Sequence, residues 1–253
     1  AAITGEFTDP RDLGEKFGIE YPRVEWPKRF AVNDNMLQPP LPEAEAGSAD
    51  VFRGPTIVPP PLSEVPPSDL KGCVVIKVGD KISTDIIMPA GALLKYRSNV
   101  PEYAKYVFNP LNEDGQPSFA DRALALKGEG GHGVIVAADS YGQGSSREHA
   151  ALCPMYLGVK AVLAKSIERI HFANLINFAI VPMTFADPAD YEAVDQGDRL
   201  EIPGLMDAVR SAAETVTVRN ATKKTEFQAK LDLSDRQRKI LGAGGLLRMV
   251  KAG

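Results

Sequence analysis

Cysteine is scarce in this chain of 253 residues: there are two, Cys73 and Cys153, and they form no C-x-x-C pair. Two distant thiols cannot build a disulfide framework. They also lack the close spacing with which cysteine thiolates hold an iron–sulfur cluster. Histidine is nearly as sparse, and His132, His149 and His171 stand at no metal-ligand spacing. The chain is therefore expected to bind no metal by itself, and its cysteines to be small buried apolar residues in a reducing, cytoplasmic setting. Long apolar runs are missing as well. No stretch approaches the roughly 20 residues that span a bilayer, and no signal-peptide pattern opens the chain, so no membrane partner is expected. Excess positive charge is missing too: the net charge of −4 gives no electrostatic footprint for nucleic acid.

What is abundant is divided along the chain. Residues 1–66 are rich in proline, with Pro39-Pro40, Pro42, Pro55, Pro59-Pro60-Pro61 and Pro66. Proline fixes φ and removes a donor, so continuous helix or central strand is excluded there. Disorder is one reading of such composition. The interleaved Phe17, Ile19, Tyr21, Trp26, Phe30, Val51, Phe52 and Ile57-Val58 favour another, an ordered extended arm docked on a partner surface.

From residue 67 the pattern changes. Cys73–Val78, Val134–Ala138, Ala161–Ala164 and Ala179–Met183 read as strands. Helices are expected over Phe119–Leu126, Arg147–Leu157 and Ile167–Phe178. Alternating strand and helix implies parallel pairing with right-handed crossovers. Leu200–Ile202 and Thr215–Arg219 then alternate as an antiparallel appendage does, and Ser234 caps a closing helix that leads to Gly242-Ala243-Gly244-Gly245.

The most specific segment runs from Tyr141 to Ala151, with Gly142-Gln143-Gly144-Ser145-Ser146-Arg147-Glu148-His149 at its centre. It leaves a buried strand and enters a helix. Glycines let the backbone approach a ligand, and the first helix amides are free donors at the positive end of the dipole. A carboxylate can be held there by amides, by two hydroxyls and by the Arg147 fork. The plain alternative is a serine N-cap with an arginine in solvent.

The order G-x-G-S-S-R-E-H-A-A resembles the active-site turn of the mobile C-terminal domain of the aconitase family. Lys81–Gly91 with Leu94-Lys95-Tyr96-Arg97 is similar to the segment that opens that domain. Lys165–Leu175 matches the helix after the serine turn and Thr184–Tyr191 continues the match, so the resemblance covers roughly residues 70–205. It implies the C-terminal, swivel-domain portion of a bacterial aconitase (aconitate hydratase). The fold implied is α/β, a three-layer β/β/α swivelling domain over residues 67–253 with a mostly parallel sheet. Residues 1–66 become the connecting arm that docks on an N-terminal cluster-bearing core. The chain opens on Ala1 without Met and places about seventy residues before that domain, as a piece of one long polypeptide is expected to do.

The same resemblance implies the chemistry. Aconitases interconvert citrate and isocitrate through cis-aconitate, a hydro-lyase reaction of the tricarboxylic acid cycle. Ser145 corresponds to the base, its alkoxide stabilised by helix-terminal amides and positive charge. Arg97 and Arg147 correspond to carboxylate clamps, and Ser146 to a hydrogen-bond donor to substrate. Asp85 orients the serines or an arginine; its alternative is to cap its own turn. Ile86 stands where many aconitases carry histidine. His149, Glu148, His171 and Arg169 are read as supporting or packing residues. The [4Fe-4S] cluster is expected in the preceding domains, none in this chain, which alone is expected to be inactive. Homoaconitase, isopropylmalate isomerase, a methylcitrate-type dehydratase and a non-catalytic anion-binding module are the alternatives. Arg97 argues for a third carboxylate and hence for a tricarboxylate partner.

Overall fold

The computed structural model describes residues 2, 5–20, 22–50 and 52–252. Tyr21 and Val51, two of the apolar residues expected to dock the arm, lie outside the described residues. The chain forms two units, 1–51 and 52–253.

In the first unit, α1 (Leu13–Phe17) ends at Gly18 in a left-handed conformation, and α2 (Glu43–Ala46) follows Pro42. Neither helix buries a residue. Phe17, Ile19, Trp26 and Phe30 are exposed.

The second unit carries β1 (Leu70–Val78), α3 (Thr84–Ile87), α4 (Val100–Tyr103), α5 (Phe119–Gly128), β2 (His132–Ala137), α6 (His149–Tyr156), β3 (Val159–Ala164), α7 (Arg169–Asn177) and β4 (Val181–Phe185). It continues through β5 (Arg199–Ile202), α8 (Leu205–Arg210), β6 (Thr215–Asn220), β7 (Thr225–Lys230), α9 (Asp235–Ala243) and α10 (Leu246–Lys251). The alternation read from the sequence is present, and α9 opens on a complete capping box between Ser234 and Gln237. α10 is an addition to the elements expected. It starts beyond Gly244 and Gly245, both at positive φ, where the chain reverses into a second helix.

The expected α/β class holds; the sheet is mixed, and a closed barrel stands in place of the expected three-layer stack. The strands close into a barrel in the order β1-β2-β3-β4-β7-β6-β5. β1 to β4 pair in parallel, while the four remaining interfaces are antiparallel. The tail expected as an appendage instead pairs at both ends. β5 runs beside β1 from Leu70↔Ile202 to Cys73↔Arg199, and β7 reaches β4 at Thr184↔Lys230 and Phe185↔Ala229.

Side-chain alternation explains how both faces of the parallel strands are satisfied. Val134 and Val136 face a core shared with Leu200, Val218, Phe227 and Ala229, the interior of the barrel. Ile135 and Ala137 face the other way, into a core with Tyr103, Phe119 and Ala150 from the covering helices. The chain leading into β1 is stitched to this unit as well: Val58 N donates to Ser98 O at 3.0 Å, and the buried Ser63 Oγ donates to Gly244 O at 2.6 Å. Among the described residues no helix is long and apolar enough to cross a membrane.

Candidate functional site

Three segments that leave the C-terminal ends of β1, β2 and β3 meet at the serine turn. On one side, Gly142 N and Gln143 N donate to Ile82 O at 2.8 and 3.1 Å, and Thr84 N donates to Gln143 O at 2.8 Å. Thr84 Oγ1 adds a bond to Ser145 O at 3.1 Å. On the other side, Tyr141 N donates to Ser166 O at 3.1 Å and Glu168 N to Tyr141 O at 2.9 Å. The turn is thus sutured to both neighbours through its backbone. Its side chains are left for something else.

Ser145 and Ser146 are exposed. They do not cap the following helix: α6 begins at His149, with Glu148 before it and no side-chain cap, so Arg147 and Glu148 belong to the turn rather than to the helix. The serine N-cap alternative is therefore absent. Among the described residues the amides of Gly144, Ser145 and Ser146 donate to no carbonyl. Gly144 has φ +101° and Gly142 has φ +84°. Successive unpaired N–H groups in a turn with left-handed residues make an anion-binding concavity.

The charged residues fall into two kinds. Arg147 is held: Nη1 is paired with Asp85 Oδ1 and donates to Met88 O at 3.0 Å. Its side chain is 17% exposed, against 61% for Asp85. One edge of that guanidinium is fixed by the α3 segment; Asp85 pairs with this arginine and has no bond to either serine among the described residues. Arg97, which follows the 3-10 helix Gly91–Tyr96, is exposed, and its guanidinium has no hydrogen bond or ion pair among the described residues. Its backbone is anchored instead. The Arg97 carbonyl accepts from His149 Nε2 at 2.8 Å, which puts a proton on that nitrogen. The His149 ring packs on Tyr103, 5.2 Å between centroids, and burial raises the Tyr103 phenol above its ordinary value. His149 thus ties the start of α6 to the segment that presents Arg97. Sequence reasoning assigns it only a supporting role and no partner, because a side chain bonding a carbonyl 52 residues away leaves no local signal.

His171, expected to be a packing residue, is 1% exposed, next to Tyr141 and Gly142. Arg169 is exposed at the start of α7. Ser140, at φ +60°, donates through Oγ to Glu168, and Ser166 Oγ donates to Asp139 at 3.0 Å, so a second polar knot flanks the turn.

The donor set does not suit a metal cluster. Cys73 lies on β1 with its thiol 3.6 Å from Gly197 O, and Cys153 is buried in α6, where burial pushes its thiol well above its ordinary value. Thiolates are disfavoured at both positions. Among the described residues no group of three or more His, Cys, Asp and Glu could hold a metal ion.

Comparison with known proteins places these residues in context. Residues 94–188 match the family described as the aconitase C-terminal domain. A putative mitochondrial aconitate hydratase of Emericella nidulans is 34% identical over 98% of this chain and 34% of its own length. A probable mitochondrial aconitate hydratase of Dictyostelium discoideum is 33% identical over 98% of this chain and 35% of its own. The chain spans about a third of the length of these relatives. A mitochondrial homocitrate dehydratase of Saccharomyces cerevisiae is 35% identical over 56% of this chain. Among solved structures, a 3-isopropylmalate dehydratase (leuD) of Methanocaldococcus jannaschii superposes with a TM-score of 0.55 at 28% identity, covering 73% of this chain and 94% of that one.

Proposed function

The chain belongs to the aconitase family through its C-terminal domain, and on that premise we propose that it supplies the base and part of the carboxylate anchoring for reversible dehydration of citrate to isocitrate through cis-aconitate. The observation that supports this reading is an exposed turn with two serine hydroxyls and three amides that donate to no carbonyl among the described residues, next to an Arg147 guanidinium held by Asp85 and Met88, with the Arg97 backbone tied through His149 to the start of α6. Ser145 takes the proton beside the substrate carboxylate. Serine is a weak base at neutral pH, so its alkoxide needs the amides of the turn and the charge of Arg147 close by. Arg147, with one edge fixed by Asp85 and Met88, offers its remaining N–H groups to one carboxylate in a defined plane. Arg97 closes on another from the side, and Ser146 donates to substrate.

An open surface cannot exclude water alone, so the reading needs a second wall. The cluster ligands are assigned to that wall, in N-terminal domains of the same polypeptide or a separate chain, since the cysteines here do not fit the role. When bound there, the [4Fe-4S] cluster supplies a Lewis acid. The arm of residues 1–66 is assigned the connection to those domains, its exposed Phe17, Trp26 and Phe30 being the docking contacts. The two free thiols keep the chain in a reducing compartment, and cytoplasm is proposed.

The test is complementation. This chain mixed with the cluster-bearing part is expected to hydrate cis-aconitate, followed by ultraviolet loss of the substrate, while neither part alone does so. Turnover by the chain alone, or none from the mixture once the cluster is loaded, overturns the reading. Turnover of the homologated substrate in preference to cis-aconitate replaces it with the homoaconitase alternative.

A further inference from the structure

The serine turn is fixed at six of its backbone groups by bonds to its neighbours, but one of its contacts is purely steric. Gly142 sits at φ +84°, and a Cβ built on it would lie 2.2 Å from Cγ and 2.4 Å from both Cβ and Cδ2 of His171. Those distances are far inside van der Waals contact. Residue 142 is therefore limited to glycine by the imidazole as well as by its own φ. His171 stands in the first turn of α7, beyond the segment that exchanges bonds with Tyr141. Tyr141 meets it edge to face at 5.1 Å, itself fully buried.

The ring is polar, yet its polarity goes unused. Neither Nδ1 nor Nε2 of His171 has a hydrogen-bond partner among the described residues, and the Tyr141 hydroxyl has none either. Burial pushes the His171 imidazole down to about 4, so it is neutral near pH 7 and brings no charge toward a substrate carboxylate. Among the described residues no protein group stands at hydrogen-bond distance from either nitrogen, and the close approach to Gly142 is the contact the ring makes with the turn. What the ring contributes is shape.

We propose that His171 is a positioning residue: its ring is the seat against which Gly142 rests, and this fit sets where the turn holds Ser145 and Ser146. The proposal rests on the reading of that turn as the working surface. Ser145 is three residues beyond Gly142; its carbonyl accepts from Thr84 Oγ1 at 3.1 Å and from Arg147 N at 2.8 Å, while its amide and hydroxyl have no bond among the described residues, so a displacement at the seat is carried to its hydroxyl. A shift of about 1 Å in a reacting group is enough to cost on the order of a hundredfold in rate.

Three variants decide the matter: His171→Phe, His171→Ala and Gly142→Ala. In the complete enzyme turning over cis-aconitate, His171→Phe keeps the ring and is expected to retain kcat and KM within about threefold. His171→Ala and Gly142→Ala are each expected to lower kcat on the order of 10- to 100-fold with KM changed far less. Because both act on one contact, the double variant should be no worse than the more damaging single one. In the 253-residue chain alone, the backbone amide resonances of Gly144, Ser145 and Ser146 should move in His171→Ala and Gly142→Ala and stay in place in His171→Phe. If His171→Phe loses as much kcat as His171→Ala, the nitrogens matter and the proposal falls. It falls equally if Gly142→Ala leaves those resonances and kcat unchanged, a comparison that survives even if His171→Ala does not fold. Should the wild-type complete enzyme fail to turn over cis-aconitate, the functional reading fails, while the resonances of the chain still decide the seat.

Discussion

In the antiparallel half of the barrel, the buried polar side chains are matched: Asn220 Nδ2 donates to Asp198 at 2.7 Å, Asp195 N donates to the same carboxylate at 2.8 Å, and Lys223 lies 3.5 Å from it. In the parallel half the matching is incomplete, although the buried Thr84 Oγ1 donates to Ser145 O at 3.1 Å. Arg122 Nε, Tyr141 Oη and both nitrogens of His171 are buried without a partner among the described residues. The two halves share one barrel and one interior, so the difference is not one of packing quality. For Tyr141 and His171 it coincides with the serine turn, which both residues adjoin. On the proposed reading, β5 to β7 complete the barrel, whereas the ends of β1, β2 and β3 hold a turn whose conformation suits a ligand rather than its own hydrogen bonds. Local rules are commonly broken where a fold carries function.

The sharpest way to break that contrast is Ser145→Ala in the complete enzyme. The side chain is exposed and the turn is held by its backbone, so melting should be unchanged, while kcat falls on the order of 100- to 10,000-fold with a modest change in KM. Ser146→Ala should do less to kcat and more to KM; the opposite result would exchange the two roles. If neither matters, the turn has no catalytic part and the halves differ for another reason.

Acid should act mainly on the parallel half. The ordinary histidine value is 6.5, and burial holds His171 near 4 in the folded chain. Between those values the unfolded chain binds a proton that the folded chain does not, so stability falls as pH drops from 6.5 to 4, by on the order of 3 kcal/mol in full. His132, lowered by its own burial, adds a contribution of the same sign. Denaturant titrations across that range should therefore show a smaller slope for His171→Phe than for wild type. Equal slopes would assign the loss elsewhere.

Asn220→Ala tests the matched half. It removes one partner of a buried carboxylate, and a loss of about 1–3 kcal/mol in unfolding free energy is expected with kcat untouched. The smallest effect belongs to Arg97→Lys. Its guanidinium is free, so stability should not change, and the loss of planar bidentate geometry should raise KM on the order of tenfold. A drop in melting temperature with unaltered kinetics would make Arg97 structural.

Much of this contrast is legible in the sequence, and the illegible part has a physical reason. The strands announce themselves as apolar runs, the Ser234 box as a start signal, and the Gly-Ser turn as a junction between strand and helix. Those signals are local. Closure of the barrel is not: it depends on Thr184 meeting Lys230 and Cys73 meeting Arg199, pairings that no periodicity encodes. Alternation in β5 and β6 looks the same for an appendage as for the other wall of a barrel. Composition starts α6 two residues early, because helix-forming residues begin at Arg147, whose side chain is instead drawn to Asp85 and Met88. Within the site, residue types can be read but pairings cannot. Asp85 with Arg147 and His149 with the Arg97 carbonyl join segments 62 and 52 residues apart. Gly142 is the exception, since a glycine fixed at a turn invites the question of what stands against it.

In a closed ring of seven strands every strand has a neighbour on both sides, so among the described residues none is a free edge along its whole length. Closure thus withholds the long continuous edge on which strand addition and edge-to-edge aggregation depend. Attachment is restricted to strand ends, loops and helix faces. A body that makes its contacts only there can change its angle to a neighbour, or leave it, without a single ladder bond being made or broken.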